Sequence, residues 1–154
     1  MNNLSDTIAN AFIFAYRDFY RRVSALAENL SEEQFWTKPY PYGNSFGHLT
    51  LHLIGNLNYY IGTQIAQTGY VRDREREFTE SARPPKAEVL KRLDEAVEMV
   101  VSTIEAQTSE AWSTRYEAVG AESSKDRFSI FLRCAAHFHH HIGQMIYLEK
   151  ELSK

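Results

Sequence analysis

The residues best suited to chemistry in this chain are its six histidines, four of which lie within a single five-residue segment. Two of these, His137 and His141, are one helical turn apart in an apolar stretch (residues 128–148) that predicts a long helix. Side chains at positions i and i+4 share one helix face, with Cβ atoms about 5–6 Å apart. Both imidazoles can therefore bind the same metal ion.

The other two histidines, His48 and His52, form a second pair one turn apart on an earlier predicted helix. A helix-borne pair joined by one imidazole from a second helix leaves the fourth position of a tetrahedral ion open, as in catalytic zinc sites. If both His48 and His52 bound the ion, the site would be closed and structural. His139 and His140 are assigned mainly to the surface. Spacing alone is also compatible with the interpretation that all six histidines are ordinary core and surface residues.

Other catalytic arrangements are disfavoured. The zinc-peptidase motif requires a glutamate directly after its first histidine, and this position is Phe138. Cys134 and His137 are neighbours at i and i+3 and offer a nucleophilic pair, although a small, buried cysteine is the favoured reading. The sequence contains no phosphate-binding glycine loop, dinucleotide fingerprint or calcium loop.

Composition limits the class of protein. The chain has 154 residues, of which 44% are hydrophobic, and this favours one globular domain spanning residues 1–154. A net charge of −3 with interspersed signs argues against nucleic-acid binding. No apolar run approaches the ~18 residues of a membrane span, and the single cysteine cannot form an internal disulfide. We therefore expect a soluble, cytoplasmic protein.

Apolar periodicity predicts an all-α fold built from four long helices. The first and third helices span residues 3–30 and 86–107. The second begins at a cap on Asn44 or Ser45 and runs to about residue 69, and the fourth spans residues 125–151 after a cap on Ser123 or Ser124.

The intervening segments are assigned as follows. Ser31 and Gln34 form a capping-box pattern that predicts a short helical turn. Residues 70–85 are charged, end in two prolines and predict a non-helical connection long enough to cross a helical bundle. Residues 112–124 are compatible with a short extended stretch.

Polar residues and glycines mark the face of the second helix that carries His52. Asn56 and Tyr59 lie on this face, and Gly55 and Gly62 lie at its edge, which indicates either tight packing or room for a ligand. Gln144 lies on the His141 face of the last helix. No carboxylate lies on either inward face, so helix positions alone name no general base.

Three segments carry a resemblance to a known family. They are SFGHLTLHLIGNL (residues 45–57), VRDREREF (residues 71–78) and the pattern His137-x-x-x-His141-Ile-Gly-Gln, in this order along most of the chain. Together they resemble the DinB-like (YfiT-like) metalloenzyme superfamily. The resemblance implies a four-helix bundle with a long crossover connection between helices two and three, and a divalent-metal site formed by His52, His137 and His141.

The resemblance also implies a range of functions. It favours a metal-dependent hydrolase or a thiol-dependent S-transferase, with zinc or nickel as the ion, a small-molecule substrate or low-molecular-weight thiol as partner, and a homodimeric assembly. His48 is then a proton-transfer candidate, a fourth ligand or a helix-end histidine, while Asn56, Tyr59 and Gln144 are candidates for contacting substrate or orienting ligands. The competing interpretation is a non-catalytic metal-binding or dimerisation bundle.

Overall fold

Helices form all the regular secondary structure in the part of the chain that the computed structural model describes, residues 3–154. The α-helices are α1 (Leu4–Glu28), α2 (Glu32–Trp36), α3 (Phe46–Leu57), α4 (Arg76–Thr79), α5 (Lys86–Glu105) and α6 (Arg127–Leu152). A π-helix (Asn58–Ala66) continues α3, and a 3₁₀ turn (Ala111–Ser113) precedes α6. The predicted all-α class is confirmed.

Polar side chains at the helix ends set where the helices begin. Ser31 and Gln34 form the predicted capping box of α2, and Ser45 rather than Asn44 caps α3 by accepting a hydrogen bond from the His48 backbone N–H. The predicted Ser123 or Ser124 cap of the last helix is wrong. Asp126 caps α6 instead, since its carboxylate accepts from the Ser129 N–H at 2.7 Å.

The long helical segments enclose the core. α1 and α3 each pack against both α5 and α6. The apolar faces of α1 and α5 supply much of this core, and their buried residues include Tyr16, Val23, Val89, Leu93 and Val97. Tyr16 also ties α1 to α6, because its hydroxyl donates to the Phe131 backbone oxygen at 2.6 Å. No helix among residues 3–154 is long and apolar enough to span a membrane.

The predicted regular helix to about residue 69 is wrong in two details. Hydrogen bonding changes to the wider i→i+5 pattern at Asn58, and the helix ends at Ala66. Gln67 (φ 55°) and Gly69 (φ 79°) then turn the chain in the left-handed region. The Thr63 hydroxyl donates to the Tyr70 backbone oxygen at 2.6 Å, which fixes the start of the connection.

The connection over residues 67–85 is ordered by contacts along its length. It contains the one-turn helix α4, which the sequence did not predict. At its far end the Trp36 indole N–H donates to the Pro84 backbone oxygen, and the Lys86 ammonium donates to the Ala27 and Leu30 backbone oxygens at the end of α1. These contacts hold the end of the connection against α1 and α2.

Residues 112–124 do not form the extended stretch considered from the sequence. They comprise the end of the 3₁₀ turn and irregular backbone, with an isolated antiparallel bridge between Arg115 and Asp126. The Tyr116 N–H donates to the Lys125 backbone oxygen at 2.9 Å. The segment packs through buried Trp112, Tyr116 and Ala121 rather than through a strand ladder.

Candidate metal centre

Three histidine side chains meet between α3 and α6. Nε2 of His137 lies 3.0 Å from Nε2 of His52 and 3.1 Å from Nε2 of His141. One ring nitrogen from each of the three lies within 4.8 Å of the others. The i, i+4 spacing on α6 brings His137 and His141 together, and the packing of α3 against α6 brings His52 to them.

Hydrogen bonds on the far side of two rings set their tautomers. Nδ1 of His52 lies 2.9 Å from Oε1 of Glu77, and a carboxylate can only accept, so the proton resides on Nδ1. Nδ1 of His141 likewise lies 2.7 Å from the Gln144 side-chain oxygen. Both rings therefore direct the lone pair of Nε2 towards the point where the three Nε2 atoms converge. This is the arrangement that a metal ligand requires.

Glu77 is the functional residue that helix positions did not reveal. It belongs to α4 in the connection, yet its side chain is only 6% exposed. Arg72 holds both of its carboxylate oxygens, each at 2.8 Å. Burial raises the pKa of Glu77, but the hydrogen bonds from Arg72 and His52 outweigh it and hold that pKa below its usual value. A carboxylate thus does reach His52, from the connection rather than from a helix face.

Gly55 makes room for this carboxylate. A β-carbon at Gly55 would lie 1.8 Å from Oε2 of Glu77, far inside van der Waals contact. Of the two explanations that the sequence left open for Gly55, close approach is the correct one. The approaching group is the buried carboxylate of Glu77 on α4.

Burial keeps two of the three imidazoles neutral. Burial, together with the neighbouring His141 and His52, lowers the pKa of His137 to about 3. Burial also lowers the pKa of His141 to about 4, although the hydrogen bond with Gln144 opposes this. Neutral rings are the form in which histidine binds metals.

The donor set fits a divalent cation. With Nδ1 protonated in His52 and His141, both Nε2 atoms are acceptors, and the single Nε2 of His137 can donate to only one of them. Nδ1 of His137 is also buried without a hydrogen-bond partner. The Nε2 lone pairs of at least two of the three rings therefore face each other and repel. A cation bound by all three nitrogens removes this repulsion.

A known family model matches most of the chain. The family model of the DinB superfamily matches residues 15–145, a span that includes all three histidines, Arg72 and Glu77. The chain belongs to the DinB superfamily. The resemblance found in the sequence is thus confirmed at the level of the family. No curated protein matches the chain.

In this member of the DinB superfamily, the three histidines border a cavity of about 660 Å³. Its wall is largely aromatic and includes Tyr40, Tyr42, Phe78 and Tyr147. Tyr40 and Tyr42 stack with ring centroids 5.4 Å apart. The cavity lies within the size range of small-molecule sites.

The remaining candidate residues occupy different surroundings. Gln144 contacts His141 directly, as described above. Asn56 and Tyr59 line a second cavity that also reaches His52. Both ring nitrogens of His48 are engaged elsewhere, with the Ser45 hydroxyl at 2.7 Å and the Glu80 backbone oxygen at 3.0 Å. The structure therefore does not bring His48 to the other three histidines.

Cys134 has the properties of a core residue. Its side chain is buried, and burial raises the pKa of the thiol to about 12. Because the thiolate is the reactive form, a Cys134–His137 nucleophilic pair is disfavoured at neutral pH.

Proposed function

We propose that this protein is a metal-dependent enzyme in which His52, His137 and His141 hold one divalent ion, zinc or nickel, at a site open to substrate. The observation that carries the proposal is the convergence of three Nε2 atoms, two of them with the opposite ring nitrogen anchored, at the wall of a 660 Å³ cavity. The proposed architecture is a single-domain four-helix bundle in which residues 67–85 form the crossover.

When bound, the ion supplies a Lewis acid that can activate water or a thiol. This property supports a hydrolase or a thiol-dependent S-transferase, and the substrate would be a small molecule that fits the aromatic cavity. An open site is favoured over a closed structural one because His48, the residue available to close it, has both ring nitrogens bound elsewhere.

The chain's own residues prepare the ligands. Glu77 holds the proton on Nδ1 of His52, and Arg72 keeps Glu77 ionised by neutralising its charge. Gln144 orients His141 in the same manner. These contacts fix the ring orientations before any ion binds, which lowers the free-energy cost of assembling the site.

We assign His48 a positioning role rather than the proton transfer considered from the sequence. Its ring links the start of α3 to the Glu80 backbone in the connection and packs edge-on against Trp36. Its two ring nitrogens are occupied by these contacts, so neither faces the three-histidine cluster. Asn56 and Tyr59 remain candidates for contacting substrate, because they line a cavity that His52 also borders.

The decisive experiment is elemental analysis of protein purified without an affinity tag. The wild type is compared with His52→Ala, with the His137→Ala/His141→Ala double variant, and with His139→Ala as a matched control, since His139 stacks on Phe19 outside the site. We expect about one metal ion per chain in the wild type and the control, and loss of metal from the other two variants while helicity by circular dichroism is retained.

A folded wild type that stays metal-free after zinc or nickel is supplied would overturn the proposal. If metal is bound, assays of thioether formation with added thiols and of ester or amide hydrolysis then separate the two reaction classes. Absence of turnover in both, with metal present, would favour the non-catalytic metal-binding bundle.

A further inference from the structure

A second cavity, of about 570 Å³, lies beside the same histidines and differs in chemistry from the aromatic one. His52, His137 and Arg74 border both cavities, whereas Arg72 and Arg133 line the second and not the first. Three arginines line the second cavity, Arg72, Arg74 and Arg133, and none of its lining residues is acidic. This concentration of positive charge occurs in a chain whose net charge is −3.

The three arginines are not equally neutralised. Arg72 forms a two-point ion pair with Glu77. Arg74 and Arg133, by contrast, take part in no ion pair within residues 3–154. The guanidinium of Arg74 lies over Phe78 at 5.5 Å. Two positive charges at this cavity are therefore available to a ligand.

Arg133 is held in place while most of its donors stay free. Its guanidinium lies 5.2 Å from the Tyr60 ring centroid, and one N–H donates to the Gly120 backbone oxygen at 2.9 Å. Glu122 is close enough for the Arg133 charge to help lower its pKa, but its carboxylate accepts a hydrogen bond from the Gly120 N–H instead. A guanidinium that is positioned in advance loses less entropy when it binds an oxyanion.

Asn56 provides an independent sign that the ligand is polar. Its side chain lines this cavity and is 4% exposed, and its Oδ1 atom has no hydrogen-bond partner. A buried polar atom left unpaired costs about 1–3 kcal/mol, and such atoms are uncommon unless a water or ligand satisfies them. Because an amide oxygen only accepts, a hydroxyl or N–H group of the ligand would satisfy this atom.

We propose that Arg74 and Arg133 bind the oxyanion group, a carboxylate or a phosphate, of the enzyme's substrate in this cavity, and that a donor group of the same molecule pairs with Oδ1 of Asn56. Planar guanidinium groups match both kinds of oxyanion through paired hydrogen bonds. The bound group would lie next to His52 and His137, so the rest of the molecule can reach the metal centre. The role of the anion as substrate rests on the proposed function, whereas its binding does not.

The test measures anion binding to chelator-treated, metal-free protein at pH 8, where coordination by a metal cannot contribute. The probes are benzoate and phenyl phosphate, followed by NMR chemical-shift titration. Arg74→Gln and Arg133→Gln are compared with Arg76→Gln, an arginine of the same segment that pairs with Glu80 and does not line the cavity. We expect the dissociation constant to rise about tenfold or more in the first two variants and to stay unchanged in the third.

Binding of one probe but not the other identifies the oxyanion as carboxylate or phosphate and supports the proposal in either case. Equal affinity in all three variants, or no binding by the wild type, overturns it. If Arg133→Gln fails to fold, Arg133→Lys, which keeps the charge but loses the paired donors, replaces it and is expected to weaken binding. Metal content is measured separately, so failure of this proposal is distinguishable from failure of the metal centre.

Discussion

Gly55 and Glu77 are complementary in shape: the missing side chain on α3 leaves the space that the Glu77 carboxylate occupies on its way to His52. The glycine and the carboxylate are far apart in sequence and belong to different elements. The orientation of a proposed metal ligand therefore depends on a position that carries no functional group.

Gly55→Ala should expel the Glu77 carboxylate and weaken metal binding. Forcing an extra carbon into a filled space costs about 1–3 kcal/mol, and the new β-carbon would overlap Oε2 of Glu77. Chemical unfolding and zinc titration measure the two effects. Gly143→Ala is the matched control: nothing lies within 4 Å of its added carbon, and alanine should stabilise this helix by about 0.5–1 kcal/mol. Equal effects of the two substitutions would contradict the close-approach argument.

Glu77→Gln should lower metal affinity about 10–100-fold, the usual cost of losing a partner that orients a ligand. Glutamine retains the shape of the side chain but removes the charge that fixes the proton on Nδ1 of His52 and neutralises Arg72. Competition with a chelator of known affinity measures the change. Glu80→Gln serves as the control because the Glu80 carboxylate pairs with exposed Arg76. Unchanged affinity in Glu77→Gln would show that His52 needs no carboxylate partner.

Gln144 should behave as a hydrogen-bond acceptor for His141 rather than as a charged group. Gln144→Leu removes the acceptor that lies 2.7 Å from Nδ1 of His141, so metal affinity should fall about tenfold or more. Gln144→Glu supplies another acceptor and should retain most of the affinity. If both variants lose affinity equally, the hydrogen bond is not the cause.

Metal-free protein should lose stability as pH falls from about 7 towards 4. The pKa values of His137 and His141, about 3 and about 4, lie below their ordinary value of 6.5. The unfolded chain therefore binds more protons in this window, and the contribution to stability is complete above pH 6.5 and lost as pH falls. Each imidazole adds a slope of up to about 1.4 kcal/mol per pH unit.

Urea unfolding in the presence of a chelator, repeated across this pH range, measures the slope. A His137→Asn/His141→Asn double variant should show a shallower dependence than the wild type, while the control His139→Asn should not. Identical slopes in all three proteins would mean that the two buried histidines do not govern the acid response.

Cys134 should resist thiol reagents in the native protein. It is 1% exposed and burial raises its pKa to about 12, so neither access nor ionisation favours reaction at neutral pH. Labelling followed by mass spectrometry should be slow under native conditions and fast in urea. Rapid native labelling, with unchanged circular dichroism, would contradict the buried assignment.

The sequence predicted the parts of the site that depend on local spacing. His137 and His141 share a helix, so their relative position follows from helix geometry alone. The choice between His48 and His52 required the family resemblance, since both occupy the same α3 helix one turn apart. The role of Glu77 was not predicted because the position of its side chain depends on the path of the connection, and no short-range sequence pattern specifies that path. Gly55 was the one sequence feature that indicated a close approach at this position, but it did not identify the group that approaches.

The errors in the elements have a similar origin. Ser123 and Ser124 are good caps by residue type, yet the tertiary bridge between Arg115 and Asp126 positions Asp126 to begin α6. The change to π-helical hydrogen bonding at Asn58 also has no signature in apolar periodicity. The start of α6 thus depends on a contact with another segment and not on residue type alone.

The π-helix has a consequence for divergence within the superfamily. Its i→i+5 bonding begins at Asn58 and accommodates one residue more than a regular helix would. The same segment places Tyr59 and Tyr60 together at the arginine-lined cavity. Removing a single residue there would return the segment to regular i→i+4 bonding and turn side chains within it by about 100° around the helix axis. Such a length change would give the cavity a new wall while leaving His52 where it is, so substrate preference can change without any substitution among the three histidines.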